Sequence, residues 1–108
     1  MEAYEKRVRA LLDAVQQIET SPTPDAFSSL RQGLLDLAEE VQAAARVVRG
    51  AEKERLGLIS GRLLQAAEYS TLAQVNLETA IRETLPLRQL SAQRSYDSAL
   101  ALLKESLA

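Results

Sequence analysis

Residues 27–48 have the sequence FSSLRQGLLDLAEEVQAAARVV, in which apolar side chains recur at alternating intervals of three and four residues. This spacing places one apolar stripe on a single face of an α-helix, as in a helix that packs against a neighbouring helix. The members of the stripe are Phe27, Leu30, Leu34, Leu37, Val41, Ala44 and Val48. The stretch therefore predicts a long amphipathic helix in a helical bundle.

The same spacing continues on both sides of this stretch. The upstream stripe comprises Tyr4, Val8, Leu11, Val15 and Ile18, and the next downstream stripe comprises Leu56, Ile59, Leu63, Ala66, Ser70, Ala73, Leu77 and Ala80. A last stripe contains Tyr96, Ala99 or Leu100, Leu103 and Leu107. No stretch alternates with the period of two that a strand requires. We therefore expect an all-α fold: one domain over residues 1–108, an antiparallel helical bundle of three long helices plus a shorter or kinked fourth.

Proline and glycine divide the chain between these stripes. The segment 21–24, Ser-Pro-Thr-Pro, predicts that one helix ends near Thr20 and that the next begins near Pro24 with Thr23 as its cap. Gly50 follows the second stripe and is expected to cap the C-terminus of that helix. Pro86 predicts a kink or short turn within residues 84–91, with Ser91 able to cap a restarted helix.

Missing residue types exclude most catalytic templates. The chain has no His and no Cys, which removes imidazole catalysis, thiolate chemistry, disulfides and the usual zinc sites. No carboxylate lies on an apolar stripe, and no phosphate-binding loop is present. We therefore expect a protein that is not an enzyme, with no catalytic residue, no cofactor and no bound metal.

The charge of the chain bears on its partners and its location. Thirteen Lys and Arg residues against fifteen Asp and Glu give a net charge of -2, which does not favour binding to nucleic acid. No apolar run approaches the length of a membrane span, and the N-terminal residues do not resemble a secretory signal. A cytoplasmic location is the corresponding expectation.

Residues 63–81, LLQAAEYSTLAQVNLETAI, contain only two charged side chains, Glu68 and Glu78. An exposed helix usually presents a charged face, so this segment is expected to be surrounded, either by its own bundle or by a second chain. A helix over residues 51–85 would also be about 52 Å long, against about 27 Å for the first helix. We therefore predict an interface with a second copy at Leu63, Ala66, Tyr69, Ser70, Leu72, Ala73, Val75, Asn76, Leu77 and Ala80.

Two glycines lie four residues apart in the same predicted helix. Each of them costs about 1 kcal/mol relative to Ala in a helix interior, so a compensating close approach of two backbones is expected. An antiparallel hairpin that turns at Gly50 would bring Gly57 and Gly61 opposite the alanines around Ala44. The expected feature is a close helix crossing at these three positions.

Two classes of function remain open. The first is a protein–protein interaction module, adaptor or chaperone-like, that forms a homodimer and binds a further protein partner through its apolar helix faces. The second is a small-molecule binding or sensory bundle. In that case Ala26, Ser29, Gly33 and the polar stretch 70–79 are expected to line an enclosed pocket.

Overall fold

Four helices account for nearly all of the chain in this computed structural model, which describes residues 2–108. They are α1 (Glu2–Thr20), α2 (Pro24–Ala45), α3 (Ala51–Arg82) and α4 (Pro86–Leu107). No strand occurs in the described part of the chain. The predicted all-α bundle is therefore confirmed.

Successive helices run antiparallel, and α3 lies between α2 and α4. The Ser70 hydroxyl of α3 donates to the Phe27 carbonyl of α2 at 2.8 Å, and Arg62 of α3 donates to the Ser106 carbonyl of α4 at 3.1 Å. The ring of Phe27 also meets the edge of Tyr96 at a centroid distance of 5.8 Å. The apolar stripes of all four helices meet in one core, with Val15, Phe27, Leu63 and Leu103 fully buried.

Helix α1 covers the remaining side of the bundle by packing against α2 and α4. Ion pairs at its edges join Glu5 to Arg55 at 3.2 Å and Glu19 to Lys104 at 3.0 Å. A third pair, Arg7–Glu40, is exposed, and the Arg7 guanidinium lowers the pKa of the Glu40 carboxyl. Exposed pairs of this kind stabilise a fold only weakly, so α1 is held mainly by its apolar stripe.

The breaks at proline lie where the sequence predicts them. Helix α1 ends at Thr20, and α2 begins at Pro24. The Thr23 hydroxyl accepts a hydrogen bond from the Ala26 amide at 3.2 Å, which satisfies one of the free amides of the first turn. Helix α4 begins at Pro86, because a proline in the first turn needs no amide donor there.

Three expected boundaries are corrected by the structure. Helix α2 ends at Ala45, and Gly50 is not its cap; Gly50 has a φ of 70° and immediately precedes α3. Helix α3 ends at Arg82 and not at residue 85. The fourth helix has no restart at Ser91, and its 22 residues make it as long as α2, because Pro86 opens the helix instead of kinking it.

Helix α3 has 32 residues against 22 in α2, and its extra length lies at one end of the molecule. The contact between Ser70 and Phe27 sets the register, which places the start of α2 beside residue 73 of α3. Residues 74–82 of α3 therefore extend about 13 Å beyond α2. Residues 86–95 of α4 accompany them, and Gln89 donates to the Ala80 carbonyl at 3.2 Å. The result is an elongated molecule of 54 × 19 × 18 Å that ends in a bare α3–α4 hairpin.

Candidate interaction surface

Most of the side chains predicted to form an interface lie in the core of the chain itself. They belong to the apolar stripe of α3 that faces α2 and α4. The buried members are Leu63, Ala66, Ser70, Ala73, Leu77 and Ala80. The low charge of residues 63–81 is thus partly explained by the central position of α3.

The other four predicted residues lie outside this core. Leu72 and Val75 are 49% and 52% exposed, on the side of α3 that faces away from the bundle. Tyr69 and Asn76 are half-buried, and Tyr69 lines a groove between α3 and α4 beside Leu102. Of the predicted set, the structure therefore places only Leu72 and Val75 on the exposed side of the helix, whereas Tyr69 still packs against the edge of the core.

Leu72 and Val75 belong to a second stripe along α3, which we call the outer face. Its members recur at intervals of three or four residues, as in a helix that packs against another helix. All of them are exposed, and they are Gly57, Gly61, Leu64, Glu68, Leu72, Val75, Thr79 and Arg82. The spacing is present in the sequence, but glycines and polar residues occupy five of the eight positions and conceal it.

Polar side chains on and beside the outer face are hydrogen-bonded within α3. The hydroxyls of Thr71 and Thr79 donate to the carbonyls of Ala67 and Val75, and the Asn76 amide donates to the carbonyl of Leu72 at 2.9 Å. A buried donor without a partner costs about 1–3 kcal/mol. A second helix that covers the face would leave these three hydrogen bonds in place and would avoid that cost for the donors that form them.

Two charged residues lie at either end of the Leu72–Val75 pair. Glu68 precedes Leu72 by one turn, and Arg82 follows Val75 by two turns. Both are exposed, and among residues 2–108 neither forms an ion pair. The outer face thus presents one negative end and one positive end around an apolar centre.

The close packing expected at the glycines is absent from the structure. Gly57 and Gly61 are exposed, and a methyl group added at either would meet no atom within 4 Å. Ala44 is only half-buried. The physical reason is the phase of α3: Leu56 and Ser60 are buried, and each glycine lies one residue further, about 100° around the helix. There the glycines line only an open groove beside Gln42 and Ala45 of α2.

A groove missed by the sequence reasoning lies at the bare end of the α3–α4 hairpin. It is open to solvent, has a volume of about 630 Å³ and contains no charged side chain. Ile81 and Leu90 on its walls are 63% and 47% exposed. The lining of this hairpin groove consists of Leu77, Ala80, Ile81, Pro86, Gln89, Leu90 and Gln93. The signal in the sequence was the surplus length of the third helix.

The two halves of the predicted small-molecule pocket do not meet. Ala26 and Ser29 line an open groove against Leu11 and Ile18 of α1, and residues 70–79 take no part in it. Within the polar stretch, the buried Ser70 hydroxyl is already bonded to Phe27. Gly33 lies against α1, where an added methyl group would be in ordinary contact with Leu11 at 3.5 Å.

Within residues 2–108, no three His, Cys, Asp or Glu side chains come together as metal ligands would. None of the described helices is long and apolar enough to cross a membrane.

One polar atom in the core, the Tyr96 hydroxyl, lacks a hydrogen-bond partner among the described residues. Burial raises the pKa of Tyr96, and the nearby carboxylates of Asp97 and Glu19 raise it further.

No protein-family model matches the chain, and neither the curated proteins nor the solved structures contain a significant match.

Proposed function

We propose that the chain is a non-catalytic protein–protein interaction module that self-associates through the outer face of α3. The observation that carries the proposal is the exposure of Leu64, Leu72 and Val75 on one stripe with helix-packing periodicity. The stripe has an apolar centre and few charges, which is the composition of an interface core.

The outer face is also long enough for helix pairing. From Leu64 to Arg82 it extends about 27 Å, against about 13 Å for the bare end of the hairpin. The donors at Thr79 on this face, and at Thr71 and Asn76 beside it, are bonded within the helix. Covering the face with a second copy therefore removes apolar surface from water while leaving these groups satisfied.

The proposal includes an adaptor or chaperone-like role for the same module. The hairpin groove is separate from the outer face and remains open in a dimer formed there. Because no charged side chain lines the groove, its chemistry fits the apolar face of a helix in a partner protein. The alternative of a small-molecule sensor has less support, since its expected lining residues lie apart.

Light scattering of the Leu72→Arg variant tests the self-association. An arginine at this position would place an unpaired charge in the middle of the interface, so the variant is expected to remain monomeric at concentrations where the unmodified chain is dimeric. The matched control is Leu87→Arg, which makes the same change at a side chain that is 82% exposed on α4, off the outer face.

The control is expected to keep the dimer. A dimer that survives Leu72→Arg, or that Leu87→Arg disrupts equally, would show that the outer face is not the interface. Circular dichroism is expected to show unchanged helical content in both variants, because both positions lie on the surface of the fold.

A further inference from the structure

We infer that the two copies pair through their outer faces in an antiparallel arrangement, with the two-fold axis beside residues 73–74 of α3. This inference rests on the proposed self-association and specifies its geometry. The molecule that covers the outer face is a second copy of the chain, and the pattern of charges decides the direction in which the two helices pack.

The apolar centre sets the register. Apolar residues that alternate at intervals of three and four occupy two kinds of position: one begins each three-residue interval and the other ends it. When two such helices pack antiparallel, a residue that begins the interval on one helix faces a residue that ends it on the other. Leu72 and Val75 are three residues apart, so Leu72 of one copy faces Val75 of the other, and the reverse contact follows from the two-fold axis. This register places both exposed apolar pairs at the centre of the interface.

The charges select the antiparallel direction. In a parallel dimer in register, Glu68 would lie beside its own equivalent, and so would Arg82, which places like charges together on both sides of the centre. In the antiparallel register, Glu68 faces residue 79 of the second copy, and Arg82 follows three residues, or about 4.5 Å, further along. Both side chains are long enough to cover this offset, and symmetry creates two such ion pairs.

The same register covers the remaining exposed leucine of the outer face. Leu64 is opposite residue 83 of the second copy, next to Arg82. The aliphatic stem of an arginine can lie along apolar surface while its guanidinium reaches a carboxylate. Leu64 and Glu68 are one turn apart on the same stripe, so a single Arg82 side chain can contact both.

Paired spin labels measure the direction of packing. The chain has no Cys, so Glu54→Cys and Gln65→Cys each provide one labelling site per copy outside the centre of the interface. About the proposed axis, the labels are separated along the helices by about 58 Å at residue 54 and about 26 Å at residue 65. A parallel dimer in register would instead separate both pairs by roughly the 8–10 Å between packed helices, plus the length of the labels.

Charge reversal tests the ion pairs in the same dimer. Glu68→Arg and Arg82→Glu each bring like charges together twice per dimer, and each is expected to raise the dimer Kd about tenfold or more. The combined variant exchanges the two charges and is expected to restore the Kd to within about threefold of the unmodified value. Asp13→Arg, which reverses an exposed charge on α1, away from the outer face, is the matched control and is expected to leave the Kd unchanged.

The outcomes separate the arrangement from the proposed function. The long distances together with recovery in the combined variant support the antiparallel pairing. A dimer with short distances at both sites, or without recovery, overturns the pairing and leaves self-association in place. An unmodified chain that remains monomeric overturns both.

Discussion

The two sides of α3 follow the same periodicity and have opposite environments. On the inner side, Leu56, Leu63 and Ala66 are buried by the other helices, whereas on the outer face Leu64, Leu72 and Val75 are between 39% and 52% exposed. Intervals of three and four residues indicate that a helix has a packing partner on that side. They do not tell whether the partner belongs to the same chain, and only the fold separates the two cases.

The largest expected difference between the two sides is in stability. Leu63→Ala removes a fully buried side chain from the core and is expected to lower the free energy of unfolding by about 3 kcal/mol, because lost burial and a cavity both contribute. Leu72→Ala removes the same atoms from the outer face and is expected to cost less than about 0.5 kcal/mol in dilute protein. Urea unfolding of both variants gives the comparison.

If both variants lower the free energy of unfolding by a similarly large amount in dilute protein, the outer face is packed within the monomer. If both lower it by a similarly small amount, the core does not depend on α3.

A second expected effect concerns the hydroxyl of Tyr96, which is buried in the core and has no hydrogen-bond partner in the described part of the chain. Tyr96→Phe removes that unsatisfied group while keeping the ring against Phe27, so the free energy of unfolding is expected to rise by about 1 kcal/mol at neutral pH. Tyr69→Phe, on the half-buried side, is expected to change it by less than about 0.5 kcal/mol.

The pH dependence of the same variant follows from the raised pKa of Tyr96. Because the pKa is higher in the folded chain than in the unfolded chain, ionisation of Tyr96 costs no stability below its ordinary pKa of about 10. The free energy of unfolding falls as the pH rises from that value through the raised pKa. The unmodified chain should therefore lose more stability above pH 10 than Tyr96→Phe does. Equal losses in urea titrations at several alkaline pH values would contradict this account of the hydroxyl.

The smallest expected effect compares two glycines. Gly61 lies on the outer face in a helical conformation with open space around it, so Gly61→Ala is expected to stabilise the monomer by about 0.5–1 kcal/mol. Gly50 has a φ of 70°, and Gly50→Ala is expected to destabilise by about 1 kcal/mol because a side chain is strained there. Thermal unfolding should shift the two melting temperatures in opposite directions. A lower melting temperature for Gly61→Ala would mean that another backbone approaches that glycine in the monomer.

The sequence allowed the helices and the core stripes to be predicted because both depend on local rules. Proline positions set the breaks after Thr20 and before Pro86, and the apolar intervals identified the residues that became buried. The end of α2 was missed because the helical pattern continues to Val48, while the backbone leaves the helix after Ala45. Nothing local in the stretch 44–50 distinguishes those two endings.

The candidate interface was predictable only in part. Low charge over residues 63–81 was the reason to choose α3, but charge alone could not separate Leu63, which the bundle buries, from Leu72, which it exposes. The glycine prediction depended on the rotation of α3 about its own axis, which is set by packing against α2 and α4 together. The hairpin groove depends on the relative register of three helices. The contact of Ser70 with Phe27, 43 positions apart, sets α2 against α3, and the contact of Gln89 with Ala80 sets α4 against α3.

The most direct test of self-association is the mass of the unmodified chain in solution, measured by sedimentation equilibrium from low to high micromolar concentration. The account predicts a mass that approaches twice the 11.9 kDa of one chain as concentration rises, and that stays near 11.9 kDa for Leu72→Arg over the same range. A mass of one chain at every concentration would contradict the central claim, and the exposed stripe on α3 would then have no second copy to cover it.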